Sequence, residues 1–331
     1  MIPARGWLLG VVLLLVALSA GYLFCSGSVP LTPAEIFSAI LGKGGEVAST
    51  VVWQLRLPRL LAALVAGSVL GGVGAVFQTL LRNPLAEPYV MGVSAGAGVG
   101  GTAVLATGLG MAAGGALTVA GGVAGGLAAL AAVLALGGWF RHRDVVRLIL
   151  AGVVAGSMLA SLATVMLLLI GKDTNVVLRW LLGSLTPMYL ERVALMAGFG
   201  LLALGYGWFK ARELNAFAFG GELAGRLGVD TQKEVALHLA LGTAAVGSVV
   251  GSAGIIGFVG LVAPHIARSL VGPDLRRMLG LSSAVGAVVL LVSDFVAQKA
   301  VPGTELPVGA VTAVLGSPVL LVLLRRNVYR V

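Results

Sequence analysis

The sequence predicts an all-α membrane protein that crosses the bilayer many times as a single domain over residues 1–331, and three observations support this prediction. Of the 331 residues, 58% are hydrophobic and only 11% are charged, whereas a soluble domain carries about 25% charged residues. Apolar runs of about 20 residues, the length that a helix needs to cross the hydrocarbon core, recur along the chain. Fifty glycines with 6% aromatic residues predict closely packed helices, because small residues let helix backbones approach in lipid.

The apolar runs define the predicted spans. The first run follows Arg5 as in a signal peptide, but its length and the many later runs favour a helix that is retained. The long runs lie near residues 6–26, 58–80, 89–107, 113–137, 146–170, 188–208, 235–252, 278–299 and 307–325. A shorter piece, Ile255–Ala267, has about 13 residues and predicts a half-buried or tilted helix. Counting it gives ten transmembrane helices and puts both termini on one side.

The distribution of Lys and Arg predicts which side that is. With ten crossings, fifteen of the 22 basic residues fall on the side of the termini and seven on the other. Cytoplasmic loops collect basic residues, so both termini are predicted to be cytoplasmic. The same rule accounts for the net charge of +9 without a nucleic-acid partner.

Glycines spaced four apart predict where helices cross. Such pairs occur at Gly67/Gly71, Gly92/Gly96/Gly100, Gly152/Gly156 and Gly247/Gly251. Some of these spacings arise by chance in so glycine-rich a chain, so we interpret them only as packing signals.

The longest predicted cytoplasmic loop, residues 210–234, reads KARELNAFAFGGELAGRLGVDTQKE. It predicts one or two short helices that break at Gly220–Gly221 and end at Gly228. A solvated linker is one interpretation. Its apolar side chains, which exceed what a linker needs, favour a docking surface instead; they are Phe217, Phe219, Leu223 and Leu227.

Several kinds of chemistry have no motif in this chain. A phosphate-binding G-x-x-x-x-G-K-[ST] loop is missing, which predicts that the chain does not hydrolyse nucleotide by itself. The single Cys25 permits no internal disulfide, and three widely separated histidines predict no metal site. Nothing resembles a nucleophile beside a base, so no catalytic residues and no enzyme activity are predicted.

Two of the polar residues within the apolar runs are selected as functional candidates. Asp294 is expected to meet a helix end, a cation or water, because an unpaired buried carboxylate is costly. Gln78 is the second candidate. An ion-coupled secondary transporter would need more such groups, so it stays a distant alternative.

Two longer segments resemble a known family. Residues 56–98 contain RNPLA, and residues 254–324 contain GFVGLVAPHIAR and ELPVG. Together with WLLGSL at 180–185 and the loop at 214–230, they are similar to the permease subunits of type II ABC importers, which take up iron–siderophore complexes, haem and vitamin B12. The resemblance runs from about residue 30 to the C-terminus. It implies ten helices, a second copy of the chain as partner, two cytoplasmic ATPases that bind ATP and Mg, and a periplasmic or surface binding protein.

The resemblance also implies roles for particular residues. The stretch LRNPLAEP would form a cytoplasmic turn beside the pathway, with Asn83 and Leu85 as gate residues and Gln78 nearby; a simple Asn-Pro turn is the alternative. Contact with the ATPase would fall to residues of the 210–234 loop, namely Phe217, Phe219, Gly221, Leu223, Ala224, Leu227 and Gly228.

A basic patch is predicted on the opposite side. Arg56 and Arg59 lie three apart, which puts them on one helical face, and lipid snorkelling is the alternative interpretation. The resemblance implies an arginine at the position of Gln298 that receives an acidic side chain of the binding protein; here Lys299, which follows Gln298, is expected to take that role. Arg56, Arg59 and Lys299 would then dock the binding protein.

These expectations combine into one functional hypothesis. The chain is expected to be the permease subunit of an ATP-driven importer in a bacterial or archaeal cytoplasmic membrane. The substrate is expected to be an iron–siderophore or haem, with vitamin B12 as the alternative. The chain itself is expected to bind no cofactor.

Overall fold

The computed structural model describes residues 4–325 except residues 28, 111, 140–143 and 171–173, and this part of the chain contains helices and no β-strand. The α-helices of the described residues, numbered in chain order, are α1 (Ala4–Cys25), α2 (Pro33–Ile40), α3 (Glu46–Thr50), α4 (Leu57–Leu80), α5 (Val93–Ala106), α6 (Ala116–Leu136), α7 (Val145–Ile170), α8 (Thr174–Leu181), α9 (Leu190–Phe209), α10 (Ala211–Phe217), α11 (Gly221–Arg226), α12 (Thr231–Ala253), α13 (Val259–Val271), α14 (Leu275–Lys299) and α15 (Val308–Arg325). A π-helical segment, Val51–Arg56, joins α3 to α4.

Helix length and composition agree with a polytopic membrane protein. Seven helical stretches in the described residues are long and apolar enough to cross a membrane, and they comprise α1, α3–α4 with the π-helical segment, α6, α7, α9, α12 and α14. Three shorter apolar helices are α5, α13 and the part of α15 over Val308–Val319. The number of ten crossings and the cytoplasmic side of the termini stay predictions. Of the basic residues that gave the orientation, Arg141, Arg143, Lys172, Arg326 and Arg330 lie outside the described residues.

Helix α5 is shorter than the predicted span over 89–107. Residues 89–92 form turns, and the helix begins only after Gly92, whose φ is 75°. A left-handed φ at this position is easily adopted by glycine and ends any helical continuation from the preceding turns. Pro88 also restrains the backbone before these turns. The helix that remains has 14 residues.

Glycine contacts hold the helices together, as the four-residue spacing predicted. Helices α4 and α14 run antiparallel, with Gly67 against Gly286 and Gly71 against Ser282, and a Cβ on either α4 glycine would collide with the α14 backbone. Gly96 and Gly100 approach α6, and Gly152 and Gly156 approach the backbone at 91–92. Gly247 and Gly251 of α12 likewise contact α6. Because no Cβ intervenes, the backbones approach closely and gain dispersion contacts.

The short predicted piece Ile255–Ala267 is a broken element. Residues 254–258 are not helical, and α13 begins at Val259 after Phe258, whose φ is 68°. Non-helical backbone at membrane depth is tolerated only where protein or a cavity satisfies its polar groups. The N–H of Ile255 donates to the Leu181 carbonyl at 3.2 Å, and the N–H of Phe258 donates to a carboxylate at 2.9 Å.

Candidate functional site

The gate loop, which we define as residues 81–92, is a series of turns between α4 and α5. The Asn83 side chain accepts a hydrogen bond from the Leu85 N–H at 2.9 Å, which fixes a tight turn. Leu85 is 39% exposed, while Asn83 is half-buried. The loop therefore presents Leu85 on a turn held by its own asparagine, and Tyr89 further along the loop is 54% exposed.

Gln78 lies on α4 one turn before the gate loop and is fully enclosed. Its side chain is 2% exposed, and Nε2 donates to the Gly260 carbonyl at 3.3 Å. This contact ties the end of α4 to the first turn of α13. The gate and pathway roles of Gln78, Asn83 and Leu85 stay predictions.

Glu87 is a polar residue of the gate loop to which sequence reasoning gave no role. It is 6% exposed, and its Oε1 accepts the hydrogen bond from the Phe258 N–H at 2.9 Å. Burial raises the pKa of Glu87 to about 7 because the carboxylate loses its water, and the Phe258 hydrogen bond opposes that rise. One side chain thus joins the gate loop to the break before α13. The sequence signal that could have identified Glu87 was its position between two prolines in an apolar stretch.

The coupling element, which we define as residues 210–234, folds into the two predicted short helices. Helices α10 and α11 are separated at Gly220, and the turn after α11 includes Gly228 with a φ of 87°. Its apolar residues divide into two groups. Phe217 and Ala224 are buried in the core of the protein, whereas Phe219, Leu223 and Leu227 are 74%, 43% and 66% exposed. We call these last three residues the apolar face of the coupling element.

Charged residues fix the coupling element to the long helices. Lys210 Nζ lies 2.8 Å from Glu213 and 3.5 Å from Glu234, which is 5% exposed. The Tyr206 hydroxyl also donates to Glu234, at 3.1 Å. Since Tyr206 is on α9 and Glu234 is on α12, the start of the element is held between both helices.

The C-terminal end of α14 carries a buried charge network. Asp294 is 0% exposed and pairs with Arg59 at 2.9 Å, so of the three expected partners (a helix end, a cation or water) the structure has a cation. Tyr22 and Gln298 also donate to Asp294, and Arg59 makes a second pair with Glu305 at 3.0 Å. We call these five residues the Arg59 network. Sequence reasoning did not single out Tyr22 or Glu305.

The three basic residues predicted to form a patch lie in three different environments. Arg56 is 4% exposed and donates to the carbonyls of Leu23 at 2.6 Å and Val29 at 2.7 Å. Arg59 is neutralised within its network, and only Lys299 is exposed, with Nζ on the Gly27 carbonyl at 2.9 Å. The predicted shared patch is therefore wrong: these side chains do not share one open surface, because backbone carbonyls and carboxylates enclose two of them. Their part in docking stays a prediction.

Gln298, which stands where the family resemblance implies arginine, belongs to the interior. Its amide donates to Asp294 at 2.7 Å and to the Tyr22 hydroxyl at 2.8 Å, and its Oε1 accepts from the Gly27 N–H at 2.8 Å. All of its hydrogen-bonding groups are therefore engaged at the end of α14. Lys299 points outward beside it and does not enter the network.

Two cavities adjoin the Arg59 network. One, of about 450 Å³, is lined by Arg179, Trp180 and Arg192 as well as by Arg59 and Glu305. The other, of about 610 Å³, extends past Arg56 and Trp53. Arg59 and Glu305 line both cavities, so their ion pair stands between the two spaces.

Known importer permease proteins are similar to almost the whole chain. The chain is 37% identical to the vitamin B12 import system permease protein BtuC of Salmonella paratyphi A, over 97% of this chain and 95% of that protein. It is 32% identical to the Fe(3+)-citrate import system permease protein YfmE of Bacillus subtilis, over 90% of this chain and 89% of that one.

A solved structure supports the fold. It is described as an inward-facing conformation of a metal-chelate type ABC transporter, and it superposes with a TM-score of 0.84 at 29% identity over 96% of this chain and 98% of that one. The model of the FecCD transport family matches residues 11–326. The chain therefore belongs to the FecCD transport family.

Proposed function

We propose that this chain is the membrane-spanning permease subunit of an ATP-driven importer for a metal chelate. It would work in the cytoplasmic membrane of a bacterium or archaeon as a homodimer with two cytoplasmic ATPase subunits and a periplasmic or surface binding protein. ATP and Mg would be bound by the ATPases. The observation that carries the proposal is the apolar face of the coupling element, which is exposed at one end of a bundle whose family relatives are importer permeases.

The substrate class rests on the relatives and on the cavities. One relative is named for vitamin B12 and another for ferric citrate, and both compounds are metal chelates with many polar groups. The cavity of about 450 Å³ mixes three arginines with an indole ring and two carboxylates, which suits a ligand with both charged and apolar parts. We propose an iron–siderophore or haem, and vitamin B12 is the second candidate.

A secondary transporter is less well supported. Such a protein needs a carboxylate that exchanges a proton or ion during transport. Asp294, the carboxylate that lies within an apolar helix, already binds Arg59, Tyr22 and Gln298. A carboxylate held by a cation and two donors does not readily accept a further ion. Glu87, the buried carboxyl of the gate loop, remains a candidate for that role.

Ligand binding by the partner binding protein tests the substrate class. The binding protein that works with this permease would be titrated with haem, ferric siderophores and cobalamin, with a sugar and a peptide as comparison ligands. We expect submicromolar binding of one chelate and none of the comparison ligands. Binding of the sugar or the peptide with no affinity for any chelate would contradict the proposal.

A further inference from the structure

Asn215, on helix α10 of the coupling element, makes two hydrogen bonds to the start of α14. Its Nδ2 donates to Asp274 Oδ1 at 2.8 Å, and its Oδ1 accepts from the Leu275 N–H at 2.9 Å. Asp274 is itself the N-cap of α14 and accepts from the Arg276 N–H at 3.1 Å. A side chain 60 positions earlier in the chain therefore completes the cap of this helix.

Helix α14 connects the two ends of the molecule. It has 25 residues and is about 37 Å long, which exceeds the hydrocarbon thickness of a bilayer. Its last turns carry Asp294 and Gln298 of the Arg59 network. Near its middle, at residues 282–287, it packs on α4 through glycine contacts at which no side chain separates the two backbones. Interlocked helices of this kind move as one body, since packed cores do not deform continuously.

We propose that Asn215 is a positioning residue that links the coupling element to α14, so that a movement which an ATPase imposes on residues 210–234 reaches the Arg59 network. The inference rests on the proposed function. Both hydrogen bonds are made by the planar side-chain amide of Asn215, and one of them is to a carboxylate. The coupling element therefore cannot slide past the start of α14 without breaking both hydrogen bonds.

An alternative role for Asn215 is purely structural, since any lost helix cap lowers stability. The chain provides a control for that possibility. Asp230 caps α12 by accepting from the Lys233 N–H at 3.1 Å. It belongs to the same coupling element, and its cap bond stays within residues 230–233 and does not involve α14. Asp230→Ala should therefore weaken a cap of similar kind and leave the proposed link intact.

The decisive variants exchange the two partners. Asn215→Asp places a carboxylate against Asp274, which repels it and removes the amide donor. The double variant Asn215→Asp/Asp274→Asn restores both bonds of residue 215 with the donor on the other side: the new amide at position 274 donates, and the new carboxylate at position 215 still accepts from the Leu275 N–H. Because the same Oδ1 of Asp274 accepts from both Asn215 and the Arg276 N–H in the parent, the swap gives up the cap bond to Arg276, a loss that Asp230→Ala matches in kind. Asn215→Ala removes both bonds without adding charge and serves if Asn215→Asp assembles poorly.

Movement at each end can be measured by spin labels in the full permease–ATPase complex. In a Cys25→Ser background, labels would replace Arg226 on α11 or Val301 just after α14, and double electron–electron resonance would give the distance between the two copies with and without ATP and vanadate. In the parent protein we expect shifts at both positions. In Asn215→Asp and Asn215→Ala the shift at position 226 should remain, and the shift at position 301 should fall by about half or more.

The double variant should recover the shift at position 301, and Asp230→Ala should keep it. A full shift at position 301 in Asn215→Asp or Asn215→Ala, no recovery in the double variant, or an equal loss in Asp230→Ala would overturn the inference. Failure of the parent protein to bind an ATPase, or to move at position 226, would instead contradict the proposed function.

Discussion

The Arg59–Asp294 pair shows how one buried charge organises its surroundings. Asp294 has no solvent contact, while Arg59 retains 12% exposure and reaches Glu305, whose side chain is 48% exposed. The arginine therefore has a second anionic partner at the edge of solvent, whereas the aspartate has no other cation beside it in the described network. Removing either residue should have unequal effects, because a buried charge without its partner costs more than the pair contributes.

Arg59→Met should destabilise the protein more than Asp294→Asn. The first variant leaves a buried carboxylate without a cation, which costs about 3–5 kcal/mol. The second leaves Arg59 paired with Glu305 and should cost about half as much. Thermal unfolding of the purified permease in detergent measures both. Arg226→Met, at an exposed pair with Glu222, is the control and should change nothing measurable. Equal losses in the two buried variants would contradict this account of the network.

Glu87 should make stability depend on pH. Because burial raises the pKa of Glu87 to about 7 from 4.5, the folded protein holds this proton more tightly than the unfolded chain. Its contribution is fully present below pH 4.5, is lost as the pH rises to about 7, and amounts to about 3 kcal/mol. In Glu87→Gln an amide oxygen still accepts from Phe258, and the charge cannot form.

The Glu87 prediction is checked by melting both proteins from pH 5 to pH 8. The stability of Glu87→Gln relative to the parent should rise with pH and level off above pH 7. A difference that stays constant over this range would show that the carboxyl is not buried as the structure has it.

Sequence reasoning at this scale identified charged positions better than their partners. Asp294 stood out because a carboxylate in an apolar run requires compensation. Its cation, Arg59, lies 235 positions away, and neither composition nor spacing relates the two. Arg56 was expected at the surface, yet carbonyls at the end of α1 and in the following loop enclose it. Glu87 was missed because its partner is the Phe258 N–H. That N–H can donate to a side chain only because the helix is broken before α13.

At the scale of elements, hydropathy predicted the long helices but not the short helices α2, α3 and α8, and glycine spacing predicted helix contacts. The spacing could not show which helix each glycine meets, since Gly67 and Gly286 are related only by the tertiary fold. Helix α5 began late because turn chemistry at Pro88 and Gly92 prevailed over an apolar run that suggested a full span. The two helices of the coupling element matched the prediction because Gly220 and Gly228 break the chain at both places.

The α4–α14 contact can be tested with two glycines of the same helix. A Cβ on Gly286 would collide with the Gly67 carbonyl, whereas a Cβ on Gly280 meets nothing within 4 Å. Gly286→Ala should therefore cost about 1–3 kcal/mol, and Gly280→Ala should be neutral or stabilise the helix by up to about 1 kcal/mol. Thermal unfolding distinguishes them, and similar melting temperatures would contradict the close approach of α4 and α14.

The apolar face of the coupling element should carry the binding energy for the ATPase. Phe219→Asp or Leu223→Asp places a carboxylate in the proposed contact, and loss of one such anchor weakens binding by about 30-fold or more. Leu109→Asp, at an exposed turn outside this element, is the control. Titration of the ATPase onto the purified permease gives the affinity. Unchanged affinity in both variants would mean that the ATPase binds elsewhere.

For the whole molecule, length and composition predicted a polytopic helical bundle, and the family is now established over residues 11–326. The substrate does not follow from the sequence, because the cavities beside Arg59 mix arginines, carboxylates and an indole ring without a pattern specific to one chelate. The energy source for transport can be inferred more directly than the substrate. The chain lacks a phosphate-binding motif, and Asp294, the carboxylate within an apolar helix, is already paired.

The central claim is that ATP hydrolysed by a separate subunit drives import through this chain, and reconstituted uptake tests it most directly. Proteoliposomes would contain the permease alone or with its ATPase, and uptake of the chelate bound by the binding protein would be measured with ATP or with imposed proton and sodium gradients. The account predicts uptake only when the ATPase, hydrolysable ATP and the binding protein are all present, and no loss when ionophores collapse the gradients. Uptake by the permease alone in response to an ion gradient would contradict it.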